Sequence, residues 1–390
     1  MTDFTFNTTP SIRQSWGGAA RLGAILSELP FAKTGARVLF VTDPGIRKLG
    51  LCDPALQSIA EHGFEVTVFD DVEADPKATT VLGAVEIAKA NGAACVVGFG
   101  GGSSMDVAKV VALLANSSQP IEEAYGVNQA TGSRLPLVLI PTTAGTGSEV
   151  TAVSILTTGT EEKKGIVSPI ILPDVAVLDA ALTIGLPPHI TAATGVDAMV
   201  HAIEAYTSKS ANNNPISKIL AVQSLDLLGA NIRTAVQDGS DVTARQNMLL
   251  GSMLAGQAFA NSPVAAVHAL AYPVGSLFHV PHGLSNALVL AEVMRFNAPY
   301  CGQAYSELAP HVFSDIDANR PTDDICQEFI ERLIQLNVDL GLEKGLRQVG
   351  IGPSDLDRLS SDAMNQTRLL VNNPREVTQQ DAYKIYEASL

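Results

Sequence analysis

The chain has 390 residues, of which 46% are hydrophobic and 17% charged; this is enough apolar material for two domains with buried cores, and it excludes wholesale disorder. A formal net charge of −15 repels nucleic acid and anionic membranes, so neither is an expected partner. No apolar run approaches the roughly 20 residues of a membrane helix, no basic-then-apolar leader is visible, and Cys52, Cys95, Cys301 and Cys326 form no C-x-x-C pair; a cytoplasmic protein without a cysteine metal or redox site is expected.

In chain order, residues 36–41 (ARVLFV) read as a buried strand that ends at Asp43. A carboxylate there can accept hydrogen bonds from an adenosine ribose and repel a 2′-phosphate, or it can simply begin the Asp43-Pro44 turn. Residues 64–69 (FEVTVF) read as a second strand, 80–91 as a helix and 93–99 as a third strand. The third strand runs into Gly98-Phe99-Gly100-Gly101-Gly102-Ser103-Ser104-Met105-Asp106, which opens a helix over 104–116. Glycines there let a phosphate approach the backbone, and the helix start offers unpaired N–H groups; a ligand-free tight turn is the plainer alternative. A fourth strand over 135–140 leads into Pro141-Thr142-Thr143-Ala144-Gly145-Thr146-Gly147-Ser148-Glu149. Two polar loops on successive strands suit a long ligand such as a dinucleotide. Strands alternating with helices argue for a parallel α/β sheet.

Leu186-Pro187-Pro188 breaks any continuing element and marks a domain boundary, giving 1–187 and 188–390. Helical spacing dominates beyond it, over 216–236, 244–259 and 323–340, and the polar 210–215 reads as a helix-to-helix turn. Asp197 and His201 lie four residues apart in an amphipathic helix and so share one face. That is half of a site for a divalent transition metal, or an ordinary surface pair. His268 stands in the nearly apolar 262–273, and His282 in a turn-like Val280-Pro281-His282-Gly283. A lone histidine in such company is commonly a core residue, whereas three histidines and one aspartate together would complete a set of four ligands.

The series GGGS-x-x-D, PTTAGTGSE, G-V-D-A-x-x-H-A-x-E and H-x(13)-H-G resembles the iron-containing (group III) alcohol dehydrogenases over nearly the whole chain, as far as Asn373-Pro374-Arg375. The resemblance implies an N-terminal Rossmann-like α/β domain for NAD and an all-helical C-terminal domain for metal and substrate. It implies that Asp197, His201, His268 and His282 hold Fe²⁺, a site that also suits Zn²⁺. It assigns Gly101, Gly102 and Ser103, in the loop running to Asp106, to the cofactor pyrophosphate. Thr142, Thr143, Thr146 and Ser148 go to the cofactor's phosphates, ribose or nicotinamide end, Lys164 to the nicotinamide ribose, and Asp43 to NAD preference. Where many members carry a further histidine as a proton relay, this chain has Tyr272, a candidate relay or pocket residue. A small aliphatic alcohol or diol and its aldehyde or ketone are the expected substrates, and a homodimer or larger homo-oligomer the expected assembly. A dehydroquinate-synthase-like lyase would want Lys or Arg near the ligands, and 259–282 has neither.

Overall fold

The computed structural model describes residues 3–159 and 162–390. These divide into two compact units: Asn7–Thr143 with Ser148–Ile184, and Gly185–Leu390 with Ala144–Gly147 and the N-terminal stretch up to Phe6.

The first unit is α/β. Its strands are β1 (Ser11–Gln14), β2 (Arg37–Val41), β3 (Glu65–Phe69), β4 (Cys95–Gly100), β5 (Gly126–Val127), β6 (Leu137–Pro141), β7 (Val153–Thr158), β8 (Glu162–Val167) and β9 (Val175–Leu178). Six form a sheet in the order β1-β9-β6-β4-β2-β3, with every pairing parallel. The main helices between them are α1 (Leu22–Ser27), α2 (Asp53–Glu61), α3 (Ala78–Ala90) and α4 (Gly102–Ala115). Successive strand residues point to opposite faces, and both faces are buried. Leu39, Val41, Val96, Leu137 and Leu139 pack with Val81, Val85 and Ala88 of α3 and with Met105 and Val111 of α4. Their neighbours Val38, Phe40, Val97, Phe99, Val138 and Ile140 pack with Leu22, Ile25, Ala55 and Ile59 of α1 and α2. A sheet covered on both sides needs near-continuous apolar strands, which is why β2, β4 and β6 are legible in the sequence. Edge strand β1 (SIRQ) is only half-buried and four residues long, so it gives no apolar signal. The strands β5, β8 and β7 make a separate three-stranded sheet, with β7 and β8 antiparallel.

The second unit is helical: α5 (Pro188–Thr207), α6 (Pro215–Gln237), α7 (Val242–Asn261), α8 (Ala266–Phe278), α9 (His282–Val312) and α10 (Thr322–Asp339). The prolines at 187 and 188 open α5 as well as ending what precedes it, since a proline in the first helical position lacks only an N–H that would have no partner. The Asn214 side chain caps α6 by accepting from the Ser217 N–H, and Asp241 caps α7 by accepting from the Ala244 N–H. The helix α9 leaves helical geometry at Cys301, two residues after Pro299. Among the described residues no helix is long and apolar enough to cross a membrane.

Candidate metal centre and cofactor loops

In the α/β unit the chain runs from β2 out to its neighbour β3 and then crosses back to β4 on the other side of β2. The crevice outside the carboxyl ends of β2 and β4 is therefore the point where the winding reverses, the usual ligand position in open α/β sheets. Asp43 follows β2 there and the glycine run follows β4. Asp43 Oδ1 accepts from the Ile46 N–H at 2.9 Å, capping the short helix Pro44–Lys48. The Ser104 hydroxyl donates to Oδ2 at 3.5 Å. Gly100 has φ +152°, and a Cβ on it would meet Ser104 Oγ at 2.6 Å, so only glycine allows this turn. Gly101 is the N-cap of α4 and supplies no side-chain cap; Gly102 and Ser103 form the first turn, whose N–H groups suit an anion.

The second loop leaves β6 at Thr142, whose N–H donates to the Gly100 carbonyl at 2.9 Å. Thr142 is buried and Thr143 half-buried beside Gly101. Thr146 belongs with the helical unit. Asp106 and Ser148 meet inside the protein: the Ser148 hydroxyl donates to Asp106 Oδ1 at 2.6 Å, and the Ile155 N–H to Oδ2 at 2.8 Å. Beneath them lies Lys109, fully buried, donating to Ser148 Oγ (2.8 Å), Thr151 Oγ1 (3.0 Å) and the Val153 carbonyl (2.7 Å), with Asp106 Oδ1 at 3.6 Å. Burial pushes the Lys109 ammonium down, against the opposing charges of Asp106 and Glu149. Glu149 is itself buried and raised to about 7 by desolvation. Sequence reasoning overlooked Lys109, although a lysine one turn after Asp106 on an otherwise apolar helix was its signal. Lys164 lies on β8, with Nζ 3.3 Å from Glu162.

In the helical unit three helices bring Asp197, His201, His268 and His282 together. One donor atom from each lies within 4.8 Å of all the others. Helix α5 supplies Asp197 and His201 one turn apart, α8 supplies His268, and His282 is the first residue of α9. Asp197 Oδ1 stands 3.6 Å from His282 Nε2 and 4.0 Å from His268 Nε2. The His201 ring stacks on Phe259 at 4.3 Å and on His268 at 4.7 Å. Three of the four residues are buried, whereas the His282 side chain keeps 35% exposure. Tyr272, one turn beyond His268 on α8, has its ring centroid 6.0 Å from that of His282.

Burial by itself would raise the Asp197 carboxyl; the neighbouring imidazoles and the Asn286 amide outweigh it and hold the group below its ordinary value. Burial drives His201 down and His268 well down, so both rings offer lone pairs at neutral pH. Unprotonated imidazoles around an ionised carboxylate are the chemistry of a divalent-metal site. Two polar groups that sequence reasoning did not assign adjoin the cluster. Asn286 Nδ2 donates to Asp197 Oδ1 at 2.6 Å and stands 3.3 and 3.4 Å from Nε2 of His268 and His282. Glu204 Oε2 lies 2.6 Å from His268 Nδ1. Both had a signal: Asn286 is one turn after His282, and Glu204 continues the stripe of Asp197 and His201.

The family model described as iron-containing alcohol dehydrogenase matches residues 9–180, and that of the Fe-containing alcohol dehydrogenase C-terminal region matches 191–390. The chain belongs to the iron-containing alcohol dehydrogenase family. It is an oxidoreductase that interconverts an alcohol and its carbonyl compound. It is 39% identical over 393 residues to a long-chain-alcohol dehydrogenase of Geobacillus thermodenitrificans, covering 97% of this chain and 95% of that one. A crystal structure of a 1,3-propanediol oxidoreductase superposes with a TM-score of 0.94 at 33% identity, covering 100% of both chains. A sulfoacetaldehyde reductase from Bifidobacterium kashiwanohense, solved in complex with NAD⁺, superposes with a TM-score of 0.86 at 28% identity, covering 100% of this chain and 99% of that one. The matches together span both units.

The start of α9 lies hard against α5: a Cβ on Gly283 would meet the Ala193 carbonyl at 2.3 Å and Asp197 Cβ at 3.3 Å. Gly283→Ala is expected to push His282 away from Asp197, destabilise the protein by about 1–3 kcal/mol and lower its metal content. Thermal melts and elemental analysis of the purified variant measure both effects.

Proposed function

We propose that the chain catalyses NAD-linked interconversion of a small aliphatic alcohol or diol and its aldehyde or ketone, with Asp197, His201, His268 and His282 holding one divalent ion. Iron is the family expectation, and zinc also suits this nitrogen and oxygen set. The observation that carries the reading is the approach of four donor atoms to within 4.8 Å of one another, three of them on buried residues. When bound, the ion acidifies an alcohol hydroxyl or polarises a carbonyl, and NAD accepts or supplies the hydride.

The remaining roles belong to the protein. Asp197 neutralises one of the ion's two charges, so a net attraction for a substrate oxygen is left. The apolar surroundings of His201 and His268 exclude water from that side, and the exposure of His282 leaves its flank as the side of approach. Tyr272 sits by that flank and lines the substrate site with its ring. Gly101, Gly102 and Ser103 bind the pyrophosphate through the first-turn amides of α4, and Asp43 binds the adenosine ribose. Thr142, Thr143, Thr146 and Lys164 contact the rest of the cofactor. Ser148 does so with its hydroxyl oriented by Asp106, whose oxygens are engaged with protein partners. The four cysteines are free and three are buried, which suits a reducing cytoplasm. A homo-oligomer remains the expectation from the resemblance.

The direct test is NADH formation by metal-free protein supplied with NAD, a series of primary alcohols, and either Fe²⁺, Zn²⁺ or no ion. His268→Ala is expected to lose bound metal and to lower turnover by more than about 100-fold while keeping its fold by circular dichroism; unchanged metal content and turnover would show the ligand set to be wrong. Asp43→Gly is expected to raise the NADP-to-NAD ratio of kcat/KM by about tenfold, and a wild type that already prefers NADP overturns the ribose assignment. Tyr272→Phe is expected to keep turnover within about tenfold, and Tyr272→Ala to change which alcohol chain lengths are accepted; a loss near a thousandfold in the Phe variant with metal still bound would make the hydroxyl an essential relay.

A further inference from the structure

Glu204 is a carboxylate where the fold has every reason to place an apolar side chain. It stands on α5 between Ile203 and Ala205, both buried, and is itself 4% exposed. A charge carried so far from water is costly unless it is matched by donors. Both of its oxygens are matched. Oε1 accepts the Val267 N–H at 2.7 Å, in the first turn of α8, and Oε2 meets His268 Nδ1 at 2.6 Å. The two contacts fix one backbone group and one ring atom of adjoining residues, so the imidazole cannot rotate without breaking a buried hydrogen bond. The geometry also decides which nitrogen is free. With Nδ1 facing a carboxylate oxygen, the ring proton resides on Nδ1 and the lone pair on Nε2, the atom turned toward Asp197 at 4.0 Å.

We propose that Glu204 is a positioning residue of the metal centre: by accepting the Nδ1 proton of His268 it fixes the ring's orientation and tautomer, so that Nε2 is presented to the ion. The inference rests on the metal reading of the four-donor cluster. Glu204 touches neither substrate nor cofactor in this role. It acts through His268, as the carboxylate of a carboxylate–histidine–metal relay acts through its histidine. Placement supports the assignment. Asp197, His201 and Glu204 occupy positions i, i+4 and i+7 of one helix, so a single stripe of α5 supplies two donors directly and orients a third that comes from another helix.

The test compares wild type, Glu204→Gln and Glu204→Asp, each stripped of metal and refilled with Zn²⁺ or Co²⁺. The readouts are the Zn²⁺ dissociation constant from chelator competition, the visible spectrum of the Co²⁺ form, and the melting temperature of the metal-free protein. The Gln variant keeps the size of the side chain and loses its charge. Its Zn²⁺ affinity is expected to fall about 10- to 100-fold with a shifted Co²⁺ spectrum, while NAD binding stays at the wild-type level. The Asp variant, charged but one methylene short, is expected to fall between the two, and it keeps the question answerable if the Gln variant does not fold. Zn²⁺ binding and Co²⁺ spectra in the substituted proteins equal to wild type would overturn the role of Glu204 alone. A fall in metal-free melting temperature with unchanged metal affinity would do the same, by reducing Glu204 to a structural group. A wild type that binds neither ion would instead overturn the metal reading of the cluster, and this inference with it.

Discussion

A carboxylate cannot remain ionised inside an apolar helix bundle unless compensating charge or hydrogen-bond donors surround it. Asp197 is 1% exposed, and the helical unit is arranged around its compensation. His201 comes from the same helix, His268 and His282 from two others, and the Asn286 amide donates directly to Oδ1. Desolvation and these neighbours oppose one another, and the neighbours prevail. For His201 and His268 the balance runs the other way: burial outweighs the Asp197 charge and keeps both rings unprotonated. The cluster therefore offers lone pairs and one negative charge on three residues closed to water, with His282 as the fourth donor at its open side.

That constraint explains features of the packing that are otherwise unremarkable. Gly283 is small so that α9 can begin against the backbone of α5, which brings His282 to Asp197. The glutamate on α5 ties down the start of α8, and a histidine that would drift in a loosely held helix is fixed in position. Each device acts on a different helix. The common result is that donors far apart in sequence converge with little freedom, which is what a metal site of defined geometry requires.

The α/β unit solves a parallel problem with a buried cation. Lys109 has no water to bind, and it is held by two hydroxyls, a carbonyl and the Asp106 carboxylate. The network joins the first turns of α4 to the segment entering β7, so the glycine-rich loop and the end of the second loop form one rigid edge. In both units, buried charge is matched by polar groups from neighbouring segments, and in both the matched groups adjoin the residues proposed to bind ligands. Polar interiors of this kind cost stability if any partner is removed, and they specify one arrangement of the surrounding backbone.

Much of this was legible in the sequence. Apolar runs bounded by turn residues marked β2, β4 and β6, because a sheet buried on both faces leaves their interiors no polar positions; a similar run marked β3 at the sheet edge, although its Glu65 is exposed and its middle only half-buried. Helical spacing marked α6, α7 and α10, and the i, i+4 spacing placed Asp197 and His201 on one face, because helix geometry is local. The motif series pointed to the family through residue types and spacing alone. The rest depended on contacts that sequence spacing does not encode. Edge strand β1 and the small sheet of β5, β7 and β8 lack an apolar pattern because pairing, rather than burial, defines them. The meeting of His268 and His282 with α5 is a product of helix packing. So are the pairing of Glu204 with His268, the contact of Asn286 with Asp197, and the burial of Lys109 beneath Ser148. The residues determined which groups could do chemistry; the tertiary structure decided which of them met, because burial and the matching of charge are properties of the assembled interior.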